Sequence, residues 1–205
     1  GVLTKGPVAI LLPSMVSFVF YITQDAAASD GLGKRAWRIL WRLSLLAIAA
    51  LVLPVAWYAA AYTQGGDKFL YLVYEENVLR FLGKMPYGSH EKGAHYYILM
   101  LLGGLTPFTL LFLMAPFGKK QTVLTIQTTP KPFAPWKRFK QWFDALAPTD
   151  RFAFLATLLV LLFYSIPKSK RGVYILPVYP FVAYFVAQLM RWLSTYKPQV
   201  LRWFK

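Results

Sequence analysis

Residues 165–180 read SIPKSKRGVYILPVYP, a short loop that carries Lys168, Lys170 and Arg171 between two apolar runs, 152–164 before it and 173–193 after it. A helix needs ~20 residues to cross the ~30 Å hydrocarbon layer of a bilayer, fewer where flanking side chains snorkel to the headgroups. Both runs come close to that length. Lipid offers the backbone no hydrogen-bond partner, so an apolar run of this kind is read as a helix. The stretch is therefore a basic loop joining two membrane-spanning helices.

Working outward, three further apolar runs cover 8–22, 43–62 and 96–116, with polar segments between them. Over the 205 residues, 57% are hydrophobic, 18% aromatic and 15% charged, more apolar than a soluble core of this size requires. The expected fold class is an all-α integral membrane protein with about five transmembrane helices, the first and fourth short. A net charge of +15 raises the question of nucleic acid, but the cations lie between apolar runs and not on a polar domain, so nucleic acid is excluded as a partner. The chain has no Cys, which excludes disulfides, thiolate metal sites and Cys nucleophiles. Gly1 leads almost directly into an apolar run, so the chain is expected to be the later part of a longer protein.

Loop charge orients the spans, because cytoplasmic loops collect Lys and Arg. Lys34, Arg35, Arg38 and Arg42 follow the first span, and Lys119, Lys120, Lys131, Lys137, Arg138, Lys140 and Arg151 fall in or at the end of segment 117–151. Both segments are expected in the cytoplasm. The loop 63–95 then faces outward, where Lys68, Arg80, Lys84 and Lys92 are cancelled by Asp67, Glu75, Glu76 and Glu91. Lys5 and the Lys168, Lys170, Arg171 cluster also fall on the outer side. A basic cluster placed there is either a set of interfacial side chains snorkelling to membrane lipids or a binding site for an anion. Lipid phosphate is the natural ligand, since a guanidinium grips it with two hydrogen bonds and Lys supplies a compact charge.

Within the outer loop, 69–82 carries Glu76 and Arg80 at a four-residue step that continues to Lys84, which predicts an amphipathic outer-face helix lying on the membrane. Next come Gly83, Pro86 and Gly88, which break it, and then His90, Glu91 and His95. That group can hold a divalent metal through imidazole and carboxylate, although its spacing matches no standard zinc pattern. Alternatively, both His residues bond headgroups or loop carbonyls. Pro54, Pro107, Pro116, Pro177 and Pro180 are expected to kink spans. Segment 122–135 reads as a linker and 136–143 as a basic aromatic segment on the inner leaflet. There is no phosphate-cradling Gly loop, no Ser-His-Asp order and no intramembrane carboxylate suited to proton-driven transport.

The opening LTKGPVAILLP (3–13), ENVLRFLG (76–83), HEKGAHYY (90–97) and above all FYSIPKSKRGVYILPVYP (163–180) resemble the polyprenyl-phosphate-sugar-dependent membrane glycosyltransferases, most of all the bacterial aminoarabinose lipid A transferase and protein mannosyltransferase group. The resemblance covers nearly the whole chain. It implies one part of a larger multi-span glycosyltransferase fold in the bacterial inner membrane. There a sugar passes from a polyprenyl phosphate carrier to lipid A, a protein or a glycan on the periplasmic face. It also implies a catalytic base in an acidic outer loop that lies ahead of the Lys-Gly-Pro in relatives, so this chain alone is expected to be inactive. The residues implied for donor phosphate binding are Lys5, Arg80, Lys168, Lys170, Arg171 and Tyr174, with Tyr179 as a further hydroxyl. Glu76, Asn77 and His90 match positions of an acceptor or metal region, and a divalent metal at His90 is the one cofactor left open. A non-enzymatic lipid-binding membrane protein, such as a flippase, scaffold or assembly subunit, is the alternative reading.

Overall fold

The structure, a computed structural model, describes residues 2–24, 31–82, 84, 92–93, 95–114, 135–167 and 169–204. Helix α1 (Val2–Lys5) turns into α2 (Val8–Gln24) through Gly6, whose φ of 64° lies in the left-handed region. Helix α3 (Leu32–Tyr74) runs on through a π-helical turn (Glu75–Leu79) into α4 (Arg80–Leu82). Helices α5 (Tyr96–Gly104) and α6 (Phe108–Met114) follow, then α7 (Pro135–Asp144) and α8 (Pro148–Ser165). A 3-10 turn (Gly172–Val178) leads into α9 (Tyr179–Tyr196), and α10 (Pro198–Phe204) closes the described chain. Within the described residues each of the five apolar runs lies on helix, the third on two helices, and the protein is an all-α integral membrane protein.

Helical stretch 32–82 would measure about 75 Å if straight, far more than the ~30 Å a bilayer accepts. It folds back. Gly66 takes φ 55° and ψ −146°, a backbone region open in practice to glycine alone. The ring centroids of Trp57 and Tyr58 then lie 6.1 and 5.8 Å from that of Phe69, where a straight helix would hold the Cα atoms about 17 Å apart. The second span and the expected surface helix are thus two arms of one hairpin. The second arm is amphipathic, as its charge spacing predicts, but its charged stripe turns inward while Tyr71, Tyr74, Val78 and Leu82 are exposed on the other side. The cations at Lys34, Arg35, Arg38 and Arg42, expected in a loop, ride on the first turns of α3.

The run 96–116, expected as one span, is a second departure. It is two helices, α5 and α6, bent by 104°. Pro107 supplies no N–H and disfavours the helical conformation of Thr106, so α5 ends before the pair. Among the described residues three segments are long and apolar enough to cross a membrane, Leu32–Leu79, Pro148–Ser165 and Gly172–Tyr196, or four if the bent pair acts as one broken span. Helix α2, at 17 residues, is shorter.

One core joins Leu12 and Val16 of α2, Tyr97 of α5, Ala156 and Val160 of α8, and Ile175 and Val178 of the 3-10 turn. Another joins Leu111, Leu193 and Val200 from α6, α9 and α10. Outside them apolar side chains face outward, Leu53 at 79% exposure and Trp37 at 70%, which a surround of lipid or further protein makes favourable. At one end of the bundle the buried Arg151 guanidinium donates to the Thr23 carbonyl at the close of α2 (3.3 Å) and to the Asp144 carbonyl at the close of α7 (3.0 Å). A cation suits these positions because helix C-termini leave carbonyls unpaired and carry partial negative charge.

Candidate functional site

The opposite end of α2 and α8 holds an open cavity of about 560 Å³. Phe163 and Tyr164 of α8 line this cavity and stand about 18–20 Å along the helix from Arg151, so the two sites lie toward opposite ends of α8. The hairpin supplies its longest wall. Phe69, Leu72, Val73, Glu76, Asn77 and Arg80 line it at alternating steps of three and one, the spacing of a single helical stripe about 16 Å long. The stripe begins apolar and ends charged. Trp57 and Tyr58 of the first arm stand beside the apolar end.

Pro167, Ser169 and Arg171 of the loop and Tyr174 of the 3-10 turn also line the cavity. The backbone is extended at Arg171 (φ −125°, ψ 139°), and extended chain sends successive side chains to opposite sides. This divides the cations. Arg171 is exposed at the cavity, whereas Lys170 is buried, 4% exposed, with Nζ donating to the Pro167 carbonyl at 2.5 Å. Lys170 therefore braces the loop from within and does not line the cavity. Tyr174 stacks on Tyr164, ring centroids 5.1 Å apart at 18°, and both face the cavity.

On the helical wall, Arg80 Nη2 lies 2.7 Å from both carboxylate oxygens of Glu76, four residues back. Among the described lining residues two guanidinium groups thus face one carboxylate. Glu76 orients Arg80, and the described lining residues carry a net positive charge. Asn77 donates Nδ2 to the Val73 carbonyl at 2.8 Å, which aims Oδ1 at Gly6, where a Cβ would collide with it. The 3–8 turn is seated on the π-helical turn through this contact, and Leu3, Gly6 and Val8 complete the lining.

Of the residues expected at a phosphate site, Arg80, Arg171 and Tyr174 meet in this cavity, and Glu76 and Asn77 join them. Tyr179 stays outside it, its hydroxyl 3.4 Å from the Met100 carbonyl. Lys84 is exposed beyond the end of α4 and does not line it. Lys168, His90 and Glu91 lie outside the described residues, as does the side chain of Lys5. His95 is exposed, and among the described residues no three His, Asp or Glu side chains come together as a metal site. Trp57, Tyr58, Phe69 and Tyr164 were not expected in the site. The Gly65-Gly66 doublet is the signal in the sequence that would have brought the first three together.

The chain is similar to curated proteins named undecaprenyl phosphate-alpha-4-amino-4-deoxy-L-arabinose arabinosyl transferase. The Pseudomonas fluorescens protein, whose name adds the numeral 1, is 28% identical over 177 residues, 86% of this chain and 26% of that protein. That of Pseudomonas aeruginosa is 28% identical over 178 residues, with the same two shares. That of Pectobacterium carotovorum is 26% identical over 201 residues, 98% of this chain and 30% of its own length. The chain thus spans between a quarter and a third of the length of these relatives. No family model matches it, and no solved structure does.

Proposed function

We propose, from its kinship with the polyprenyl-phosphate-sugar glycosyltransferases, that this chain forms the donor-binding part of a membrane enzyme that moves a sugar from a polyprenyl phosphate to an acceptor. The observation that carries the reading is that Arg80, Arg171 and Tyr174 line one cavity, whose helical wall runs from apolar at Phe69 to charged at Arg80. An anionic headgroup on a long apolar tail has that polarity. Arg80 and Arg171 would hold the phosphate and offset the charge that builds on it as the sugar leaves. Trp57, Tyr58 and Phe69 would take the first isoprene units. Glu76 is given no proton-transfer role, because both its oxygens are engaged with Arg80.

The cavity lies at the end of α8 away from Arg151 and the basic segments around it, which supports an outward-facing, periplasmic site in a bacterial inner membrane. The acceptor, whether lipid A, a protein or a glycan, is left to the parts of the relatives beyond this match. The test is sugar transfer by the full-length protein with Arg80→Gln or Arg171→Gln. Each should lower transfer roughly 10- to 100-fold, while Lys84→Gln, outside the cavity, leaves it unchanged. Normal transfer by both cavity variants at normal expression would overturn the assignment.

A further inference from the structure

Helix α7 (Pro135–Asp144, PWKRFKQWFD) takes no part in the cavity, and none of its residues is buried. At 100° per residue, Trp142, Phe139, Phe143 and Trp136 fill one sector of about 120°. The rings form a continuous surface, with Phe139 5.8 Å from Trp136, 5.7 Å from Trp142 and 6.1 Å from Phe143 between centroids. Trp136 is 73% exposed and Trp142 48%. Arg138 borders the sector on one side and Lys140 on the other, with Lys137 on the polar face behind. The one acid, Asp144, lies 3.9 Å from Lys140.

The helix is also held at a defined depth. Its last carbonyl, Asp144, accepts from Arg151, whose guanidinium carbon stands 5.1 Å from the centre of the Phe143 ring. Trp142 and Phe143 both pack on Phe154, at 5.4 and 6.2 Å. Phe154 lies about 9 Å along α8 from its first residue, and α8 is one of the helices long and apolar enough to cross a membrane. The aromatic sector of α7 is therefore fixed beside the first turns of a spanning helix, at the level where headgroups meet acyl chains.

We propose that α7 is an interfacial anchor that binds an anionic lipid surface. Its rings enter the acyl boundary while Arg138 and Lys140, one on each edge of the ring sector, and Lys137 behind them hold lipid phosphates. The occupant is a leaflet rich in anionic lipid such as phosphatidylglycerol, because a neutral partner would not account for cations on both edges of the aromatic face.

These 205 residues hold no Cys to compete for a label, and any Cys elsewhere in the full-length protein is first replaced by Ser. Nitroxide labels are placed by Phe139→Cys on the ring face and Gln141→Cys on the polar face of the full-length protein, reconstituted in phosphatidylcholine with or without 30% phosphatidylglycerol. With the anionic lipid, the label at 139 should be open to oxygen and shielded from a nickel chelate at least threefold more than the label at 141. The shielding should fall with phosphatidylcholine alone or in Lys137→Gln/Arg138→Gln/Lys140→Gln. Equal nickel access at both positions, shielding indifferent to lipid charge, or spin–spin broadening that assigns the face to a second copy would each overturn the proposal. Amide exchange over 135–144 in the unsubstituted protein is the second readout, expected to slow about tenfold with anionic lipid, and no change there would also overturn it.

Discussion

Lys170 and Arg171 are neighbours with the same charge, yet one is buried on the Pro167 carbonyl and the other faces the cavity. The separation comes from one backbone property, the alternation of an extended chain, which composition does not reveal. Gly6 makes the same point through sterics. Its positive φ would cost another residue ~1–2 kcal/mol, and the Asn77 amide fills the space a Cβ needs. Gly6→Ala should therefore lower the thermal midpoint of the purified protein, and adding Asn77→Ala should recover the steric part but not the backbone part. A Gly6→Ala protein as stable as the parent would remove this contact from the account.

Among elements, the hairpin decides the most. Gly66 has open space around its missing Cβ, so Gly66→Ala should act through the backbone alone, at about 1–3 kcal/mol. The measurement is the rate of cross-linking by a short bis-maleimide between cysteines placed by Tyr58→Cys and Phe69→Cys, whose parent ring centroids lie 5.8 Å apart. Gly66→Ala should slow it roughly tenfold, the equivalent of 1.4 kcal/mol. An unchanged rate would mean that tertiary packing, and not this glycine, sets the fold-back. The amphipathic helix itself was legible from the four-residue step between Glu76 and Arg80. Which way its charged side pointed was not. Periodicity establishes that a helix has two faces, whereas the neighbouring arm decides which face is covered.

For the whole molecule, the two ends of the α2–α8 pair have different chemistry: a cationic cavity with an aromatic lining at one, Arg151 beneath carbonyls at the other. Arg151→Met should cost roughly 2–3 kcal/mol, because it leaves the Thr23 and Asp144 carbonyls without a charged donor. Arg151→Lys should recover only part, since an ammonium lacks the fork that reaches both. Denaturant unfolding of the three proteins in one detergent gives the order, and a lysine protein equal to the parent would show that charge alone suffices.

From the sequence alone come the all-α membrane class, the runs that are helical, and the nomination of Arg80, Arg171 and Tyr174 for one site. Those conclusions need only hydrophobic length, charge placement and short motifs, all of them local along the chain. Tertiary structure alone decided that the 32–82 stretch doubles back, that the 96–116 run is broken, that Lys170 turns away from Arg171, and that Trp57 and Tyr58 share a cavity with residues more than a hundred positions later. The reason is physical. Each outcome depends on a single backbone conformation, at Gly66, Thr106–Pro107 or Arg171, whose effect on distant residues is set by the rigid helices on either side.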